Sequence, residues 1–352
     1  MRSRRLQALA VALAAAAWLA PAPGLARPKA PTGLGAPSYA TRAEVRRFAD
    51  EVAARHGLDR RWVRRALAQA HRITAVQRLM MPAPPGVAKD WAAYRERFVE
   101  PQRIGAGLVF WHDNQQWLER AQAEYGVPPE IVVGVIGVET FFGRLTGNFR
   151  VIDALATLAF DFPAGRSDRS DYFRTELENF LVWCARERRD PLSVKGSFAG
   201  AIGLPQFMPG SIERHAVDFD GDGRIDLAGS SADAIGSVAH YLAEYGWQRG
   251  LPPILAVTPP ADPAQRETLL APDIEPSFSA AQFAAHGAQL DDADPADAAQ
   301  DGPYALVELE NGDLPPSYVA GTRNFYALTR YNRSSYYAMA VIALGDAIRD
   351  AR

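Results

Sequence analysis

Pro128-Pro129-Glu130-Ile131-Val132-Val133-Gly134-Val135-Ile136-Gly137-Val138-Glu139-Thr140-Phe141-Phe142-Gly143 is the stretch on which the fold turns. Proline suits the first turn of a helix, where its missing N–H has no partner to lose. Ile131, Val132, Val135, Ile136 and Val138 follow with hardly a polar side between them. The pattern predicts a helix buried all round, at the centre of a domain. Glu139 stands at its end. Burial disfavours a charged carboxylate and raises its pKa, which keeps it protonated near neutral pH as a general acid must be. Phe141, Phe142 and Gly143 then close the helix. A Glu at a helix end is more commonly a structural acid, so Glu139 needs supporting motifs before it counts as catalytic.

Outward from this helix, the pattern stays mostly helical. Thr41 with Glu44 reads as a capping box before Val45, Phe48, Ala49 and Val52. Asp59 is placed to cap the helix that carries Trp62, Val63, Ala66, Leu67 and Ala70. Met81 to Val87 is proline-rich and non-helical, and helix is expected again over Gly107–Glu124, 172–187, 233–245 and Ser335–Arg349. Residues 251–322 differ, being rich in Pro, Ala and Asp. There Tyr304-Ala305-Leu306-Val307-Glu308-Leu309 reads as a strand running into an Asn311-Gly312 turn. The fold class is α+β, mainly α, with a small β-containing insertion.

Composition sets outer bounds. The chain has 352 residues, 48% hydrophobic and 22% charged, and a net charge of −3. That balance suits a globular core and carries no basic footprint for nucleic acid. Arg2, Arg4 and Arg5, the apolar run Leu6 to Ala20 and the small residues around Gly24-Leu25-Ala26 read as a cleavable signal peptide over 1–26. The alternative is an uncleaved anchor. Without a cysteine near the cleavage site, no lipid anchor is expected there. Residues 27–40 read as a linker, and the expected location is the periplasm. Cys184, alone in an apolar stretch, reads as a core residue.

Asp218-Phe219-Asp220-Gly221-Asp222-Gly223-Arg224-Ile225-Asp226 carries a calcium-loop signature. Acids recur at alternate positions, Gly223 takes the sharp-turn position, and the Arg224 carbonyl could supply a further oxygen. The closing bidentate Glu is missing, since Gly229 stands in its place. The competing reading is an acidic surface turn. A lone, imperfect loop argues for a structural calcium ion rather than a sensor.

Together, these segments resemble the lytic murein transglycosylase B family. The resemblance runs from Val135-Ile136-Gly137-Val138-Glu139-Thr140 through Gly143-Arg144 and Asp153-Ala154-Leu155-Ala156-Thr157-Leu158. It resumes at Gly196-Ser197-Phe198-Ala199-Gly200-Ala201-Ile202-Gly203, Gln206-Phe207-Met208-Pro209 and Ala216-Val217-Asp218. Gly246-Trp247, Arg330-Tyr331-Asn332-Arg333-Ser334 and Tyr337-Ala338-Met339-Ala340-Val341 complete it, over roughly residues 40–352.

The resemblance implies a lysozyme-like catalytic core over 41–250, a flanking helical domain, the β-containing insertion over 251–322, and a C-terminal helical segment over 323–352 that completes the core. It implies non-hydrolytic cleavage of the bond between N-acetylmuramic acid and N-acetylglucosamine in peptidoglycan glycan strands, leaving 1,6-anhydro ends. Glu139 would be acid and then base, with the substrate's N-acetyl carbonyl in place of a second carboxylate. Asp153 and Asp161, the nearest other acids, read as a helix cap and a loop acid. Ser197, Gln206, Tyr241, Tyr331, Asn332, Tyr337 and Tyr94 would bind the sugar. Asp233 joins Asp218, Asp220, Asp222, Arg224 and Asp226 as a candidate metal ligand.

There are departures from the family pattern. Phe142 stands where Trp or Tyr is common, and His240 where Asn is frequent. Ala164 to Ser170 is longer than expected, so Arg166 and Arg169 are open candidates for the substrate's acidic groups. The remaining alternatives are a hydrolytic muramidase and an inactive peptidoglycan-binding scaffold. A monomer is expected, no organic cofactor is called for, and the family leaves room for cell-wall synthesis enzymes as partners.

Overall fold

The computed structural model describes residues 38–82, 89–290 and 302–352. The expected leader over 1–26, nearly all of the expected linker over 27–40 and most of the proline-rich stretch 81–87 lie outside the described residues. In chain order the first helices are α1 (Ala43–His56), α2 (Arg60–Ala68), α3 (Thr74–Leu79) and α4 (Trp91–Glu96). Next come α5 (Pro101–Asp113), α6 (Gln115–Tyr125), α7 (Pro129–Thr140), β1 (Phe149–Arg150), α8 (Val151–Phe160) and α9 (Ser170–Arg186). β2 (Lys195–Gly196), α10 (Pro209–His215) and α11 (Ser231–Glu244) follow. The last third holds β3 (Ile254–Thr258), α12 (Pro263–Leu270), α13 (Ala280–Ala285), β4 (Gln289–Leu290), β5 (Ala305–Asn311), β6 (Leu314–Gly321), α14 (Arg323–Tyr331) and α15 (Ser335–Asp350). The fold is α+β and mainly α, as the patterning predicts.

Two compact units share the chain. The described residues of Gly86–Val138 and Tyr241–Arg352 form one, and those of Leu19–Pro85 and Glu139–His240 form the other. In the first, α7 is sealed on every side: Val132, Val133, Val135 and Ile136 are fully buried. Gly134 explains how closely α15 approaches, because a Cβ there would run into the Val341 carbonyl oxygen. A Cβ at Gly345 would likewise meet the Glu130 carbonyl, so two glycines bring two backbones together. A four-stranded antiparallel sheet, in the order β4-β3-β6-β5, lies in the same unit. Val257, Leu269, Phe283, Tyr304 and Leu306 give it a small core of its own beneath α12 and α13.

In the second unit, α8 packs along α9. Every residue of α8 from Val151 to Ala159 is buried. Phe173, Leu177, Phe180 and Leu181 of α9 are buried too. At about 1.5–3 kcal/mol for each large apolar side chain removed from water, this pair is a main source of the unit's stability. Cys184 lies here, buried with its thiol pKa pushed up by desolvation, as a core residue would be.

Several local expectations hold. Asp59 caps α2 by accepting from the Trp62 N–H at 2.6 Å, and β5 turns into β6 through Asn311-Gly312. Others do not. Thr41 forms no cap: Arg42 is the N-cap residue of α1, and Glu44 is drawn to its guanidinium instead. The helix expected over Gly107–Glu124 is two helices, broken where the Asn114 side chain donates to the Phe110 carbonyl at 2.8 Å. α14 is capped by Thr322, whose hydroxyl accepts the Asn324 N–H at 3.1 Å and donates to the Pro252 carbonyl at 2.7 Å.

Candidate active site

Glu139 is the penultimate residue of α7 and half-buried, between Val138 at 8% exposure and Thr140 at 0%. The chain then makes an unusual exit. Phe141 and Phe142 take φ of 51° and 56°, followed by Gly143 at 87°. Each left-handed non-glycine residue costs about 1–2 kcal/mol, so the surroundings must hold this turn in place. Thr140 does part of that. Its Oγ1 donates to the Leu204 carbonyl at 3.0 Å and accepts the Gly143 N–H at 3.1 Å, while its own carbonyl accepts the Leu145 N–H at 2.9 Å.

The glycine-rich segment lies against this turn. Phe149 pairs with Gly196 across the short β1–β2 ladder. A Cβ at Gly196 would strike the Ala201 carbonyl, and one at Gly147 the Gly196 carbonyl. Ser197 sits in the fold of the segment at 9% exposure, its Oγ accepting the Ala199 and Ala201 N–H groups at 3.3 and 3.0 Å. Gln206 has φ of 51°, and its Nε2 donates to the Gly203 and Thr146 carbonyls at 2.9 and 3.2 Å. Both amide protons are thereby spent, and the side chain is fixed with Oε1 as its remaining acceptor.

Three other acids of the same unit are engaged structurally. Asp153, in the first turn of α8, is salt-bridged to Arg150 at 2.7 Å and accepts the His71 N–H at 3.0 Å. Asp161 accepts from the Tyr39 hydroxyl at 2.7 Å and from Arg42 at 2.6 Å. Glu176 on α9 is buried, accepts the Gly210 N–H at 2.7 Å, and has its pKa raised by desolvation. Arg166 reaches the Met80 carbonyl, and Arg169 lies over the Tyr172 ring at 4.9 Å. A cavity of about 350 Å³ opens beside Phe160, Asp161, Arg166 and Arg174.

The acidic loop falls in the same unit. Carboxylate oxygens of Asp218, Asp220 and Asp222 lie within 4.8 Å of one another. Asp218 accepts three backbone N–H groups, from Gly221, Asp222 and Gly223 at 2.8–3.1 Å. Asp233 is buried to 1% and holds the two ends of the loop, accepting from Phe219 N at 2.8 Å and Asp226 N at 2.7 Å. Desolvation raises its pKa. Asp226 turns to the Ala228 and Gly229 N–H groups and lies 3.6 Å from Arg189. Of the six candidate ligands, three carboxylates converge, in an all-oxygen set that fits a hard cation.

The remaining candidates belong to the first unit. Tyr241 donates to the Arg330 carbonyl at 2.7 Å, and its ring lies 4.8 Å from that of Tyr331. Tyr331 and Tyr337 are stacked at 6.2 Å. Tyr337 is fully buried and Asn332 nearly so, whereas Tyr331 keeps part of its ring exposed. Tyr94 is half-exposed in a cluster with Trp91, Phe98 and Tyr336, at centroid distances of 5.2–6.4 Å. Trp91 and Tyr336 escaped sequence reading, as did Thr140 and Glu176.

The fold that carries this helix, the glycine-rich turn beside it and the small antiparallel sheets is that of the lysozyme-like lytic transglycosylases. The chain belongs to the family of the transglycosylase SLT domain, whose model matches residues 40–346. It is 41% identical over 322 residues to the membrane-bound lytic murein transglycosylase B of Escherichia coli, covering 89% of this chain and 85% of that protein. The catenated lytic transglycosylase SltB1 from Pseudomonas aeruginosa superposes with a TM-score of 0.81 at 39% identity, covering 89% of this chain and 99% of that one. Escherichia coli lytic transglycosylase Slt35 in complex with calcium gives 0.77 at 40% identity, over 93% of this chain and 99% of that one.

Proposed function

We propose that this transglycosylase cuts the β-1,4 bond between N-acetylmuramic acid and N-acetylglucosamine of peptidoglycan, with Glu139 as its single acid and base. The observation that carries the single-carboxylate reading is the engagement of the other acids. Asp153 and Asp161 are tied to arginines and to N–H or O–H donors, which fits structural roles for both, and Glu139 stands half-buried at the end of the buried helix.

Glu139 gives its proton to the glycosidic oxygen as the C1–O bond breaks, and the N-acetylglucosamine leaves as an alcohol. The substrate's own N-acetyl carbonyl oxygen bonds to C1 and takes up the positive charge. Glu139, now a carboxylate, removes the proton of the muramic C6 hydroxyl. O6 then displaces the acetamido oxygen at C1, the 1,6-anhydro ring closes, and no water is consumed.

Gln206 Oε1 and the Ser197 hydroxyl are proposed to meet the sugar's polar groups, Tyr94 and Tyr331 to meet its apolar faces, with Tyr241, Asn332 and Tyr337 backing Tyr331. Asp218, Asp220 and Asp222, the Arg224 carbonyl, Asp226 and Asp233 are proposed to take up calcium as a structural ion. The periplasm, entered through the leader, is the proposed place of action.

Mass spectrometry of peptidoglycan digested by wild type and by Glu139→Gln tests the reading. Anhydro-muropeptides from wild type alone support it. Reducing-end products would make the protein a muramidase, and no product from either would make it a binding protein.

A further inference from the structure

We infer that Thr140 is a positioning residue for this reaction: its hydroxyl latches the end of the catalytic helix to the turn that carries Gln206. The inference rests on Glu139 being the acid, and it concerns how that acid is held.

Thr140 is the next residue after Glu139, so any rotation of the peptide between them swings the Glu139 side chain. Its hydroxyl is used in both senses, donating to the Leu204 carbonyl and accepting from Gly143 N–H. Leu204 is itself anchored, its N–H donating to the Leu227 carbonyl at 2.8 Å. At the far end of the exit turn, Gln206 donates to the Thr146 carbonyl at 3.2 Å. The segment 140–146 is therefore pinned to 204–206 at both ends.

Phe141 and Phe142 are held at positive φ between those two pins. Thr140 is fully buried, so water cannot take over the bonds of a lost hydroxyl. Without it, the Leu204 carbonyl loses its donor, the Gly143 N–H loses its acceptor, and the left-handed pair is free to relax toward ordinary backbone angles. The helix end, with Glu139 on it, moves with that relaxation.

Valine keeps the branched shape of threonine and lacks the hydroxyl, while serine keeps the hydroxyl and lacks the methyl. The test compares kcat and KM of wild type, Thr140→Val and Thr140→Ser on purified glycan strands, per folded enzyme. In Thr140→Val we expect kcat to fall about 10- to 100-fold with KM within about twofold, the mark of a displaced reacting group. Thr140→Ser should restore kcat to within about threefold of wild type, because the latch is a hydrogen bond. If the valine variant does not fold, Thr140→Ala, which removes bulk rather than adding it, carries the same comparison. A kcat like that of wild type without the hydroxyl, or a loss equally deep in Thr140→Ser, would overturn the inference. A wild type that yields no anhydro product would instead overturn the proposed function.

Discussion

The segment from Gly196 to Gly203, packed against the exit turn after Glu139, and the loop that begins at Asp218 are both rich in glycine, and their glycines do opposite things. At Gly196 and Gly203 a Cβ would collide with the carbonyls of Ala201 and Leu227. At Gly221 and Gly223 a Cβ would meet nothing within 4 Å. The first set lets backbones touch, and the second lets a loop bend sharply in open solvent, at φ of 78° and 88°. The Gly196–Gly203 segment is therefore shaped by the close packing of backbone against backbone. The loop is shaped by backbone N–H groups directed at carboxylates whose like charges repel, and a bound cation would relieve that repulsion.

The largest effect should come from the site itself. Glu139→Gln should lower the rate of anhydro-product release by at least about 100-fold, since acid–base catalysis contributes on that scale or above. Its unfolding midpoint should stay near that of wild type. A large loss of stability would mean that Glu139 holds the fold as well as doing chemistry, and would blur the contrast with the loop.

Gly203→Ala tests the packed region directly. The added methyl meets the Leu227 backbone at a residue whose φ is 76°. Urea denaturation should show a loss of about 3 kcal/mol. Gly223→Ala, with open space around it, should lose only the smaller cost of a left-handed alanine, about 1 kcal/mol. Equal losses would erase the distinction drawn above.

Calcium should act on the loop and not on the turn. At about a hundred times its Kd, a ligand that binds only the folded state adds about 2.7 kcal/mol of stability. Calorimetry with and without calcium should show a rise of that order in wild type, lost in the double variant Asp220→Asn with Asp222→Asn. A calcium effect that survives in the double variant would move the site elsewhere.

The smallest effect concerns Glu176, which holds the segment after Gln206 by accepting the Gly210 N–H. Burial raises its folded pKa above the ordinary 4.5. Its contribution to stability is then complete below the unfolded pKa and falls as pH rises through the folded value. Glu176→Gln cannot ionise, so between pH 4.5 and neutrality its stability should gain on that of wild type. Parallel curves from urea titrations would show that Glu176 has the same pKa folded and unfolded, and would overturn the raised value.

Legibility followed physical range. α7 was readable because Ile131 to Val138 run without a polar side chain behind an opening proline. Asp59, the Asn311-Gly312 turn and the spacing of acids from Asp218 were readable because their partners lie within a few residues. Thr41 misled because Arg42 offered Glu44 a nearer charge than the backbone did. Thr140 was invisible as a latch since its partner, Leu204, is 64 residues away. The left-handed Phe141-Phe142 pair could not be foreseen, because nothing in phenylalanine's own preferences leads there. Tyr337, a candidate sugar contact from its motif, is fully buried, and motif membership does not tell a ring that meets ligand from one that supports its neighbour.

The crowding at Gly147, Gly196 and Gly203 bears on how such a gene would decay. Any change of residue at a glycine codon adds at least one carbon, and at these three sites that carbon has a backbone in its way. A duplicated copy released from selection would therefore shed its activity first through these codons, with the glutamate codon still intact. Among paralogues, an unaltered Glu139 would be a weak sign of a working enzyme, and the three glycines a stronger one.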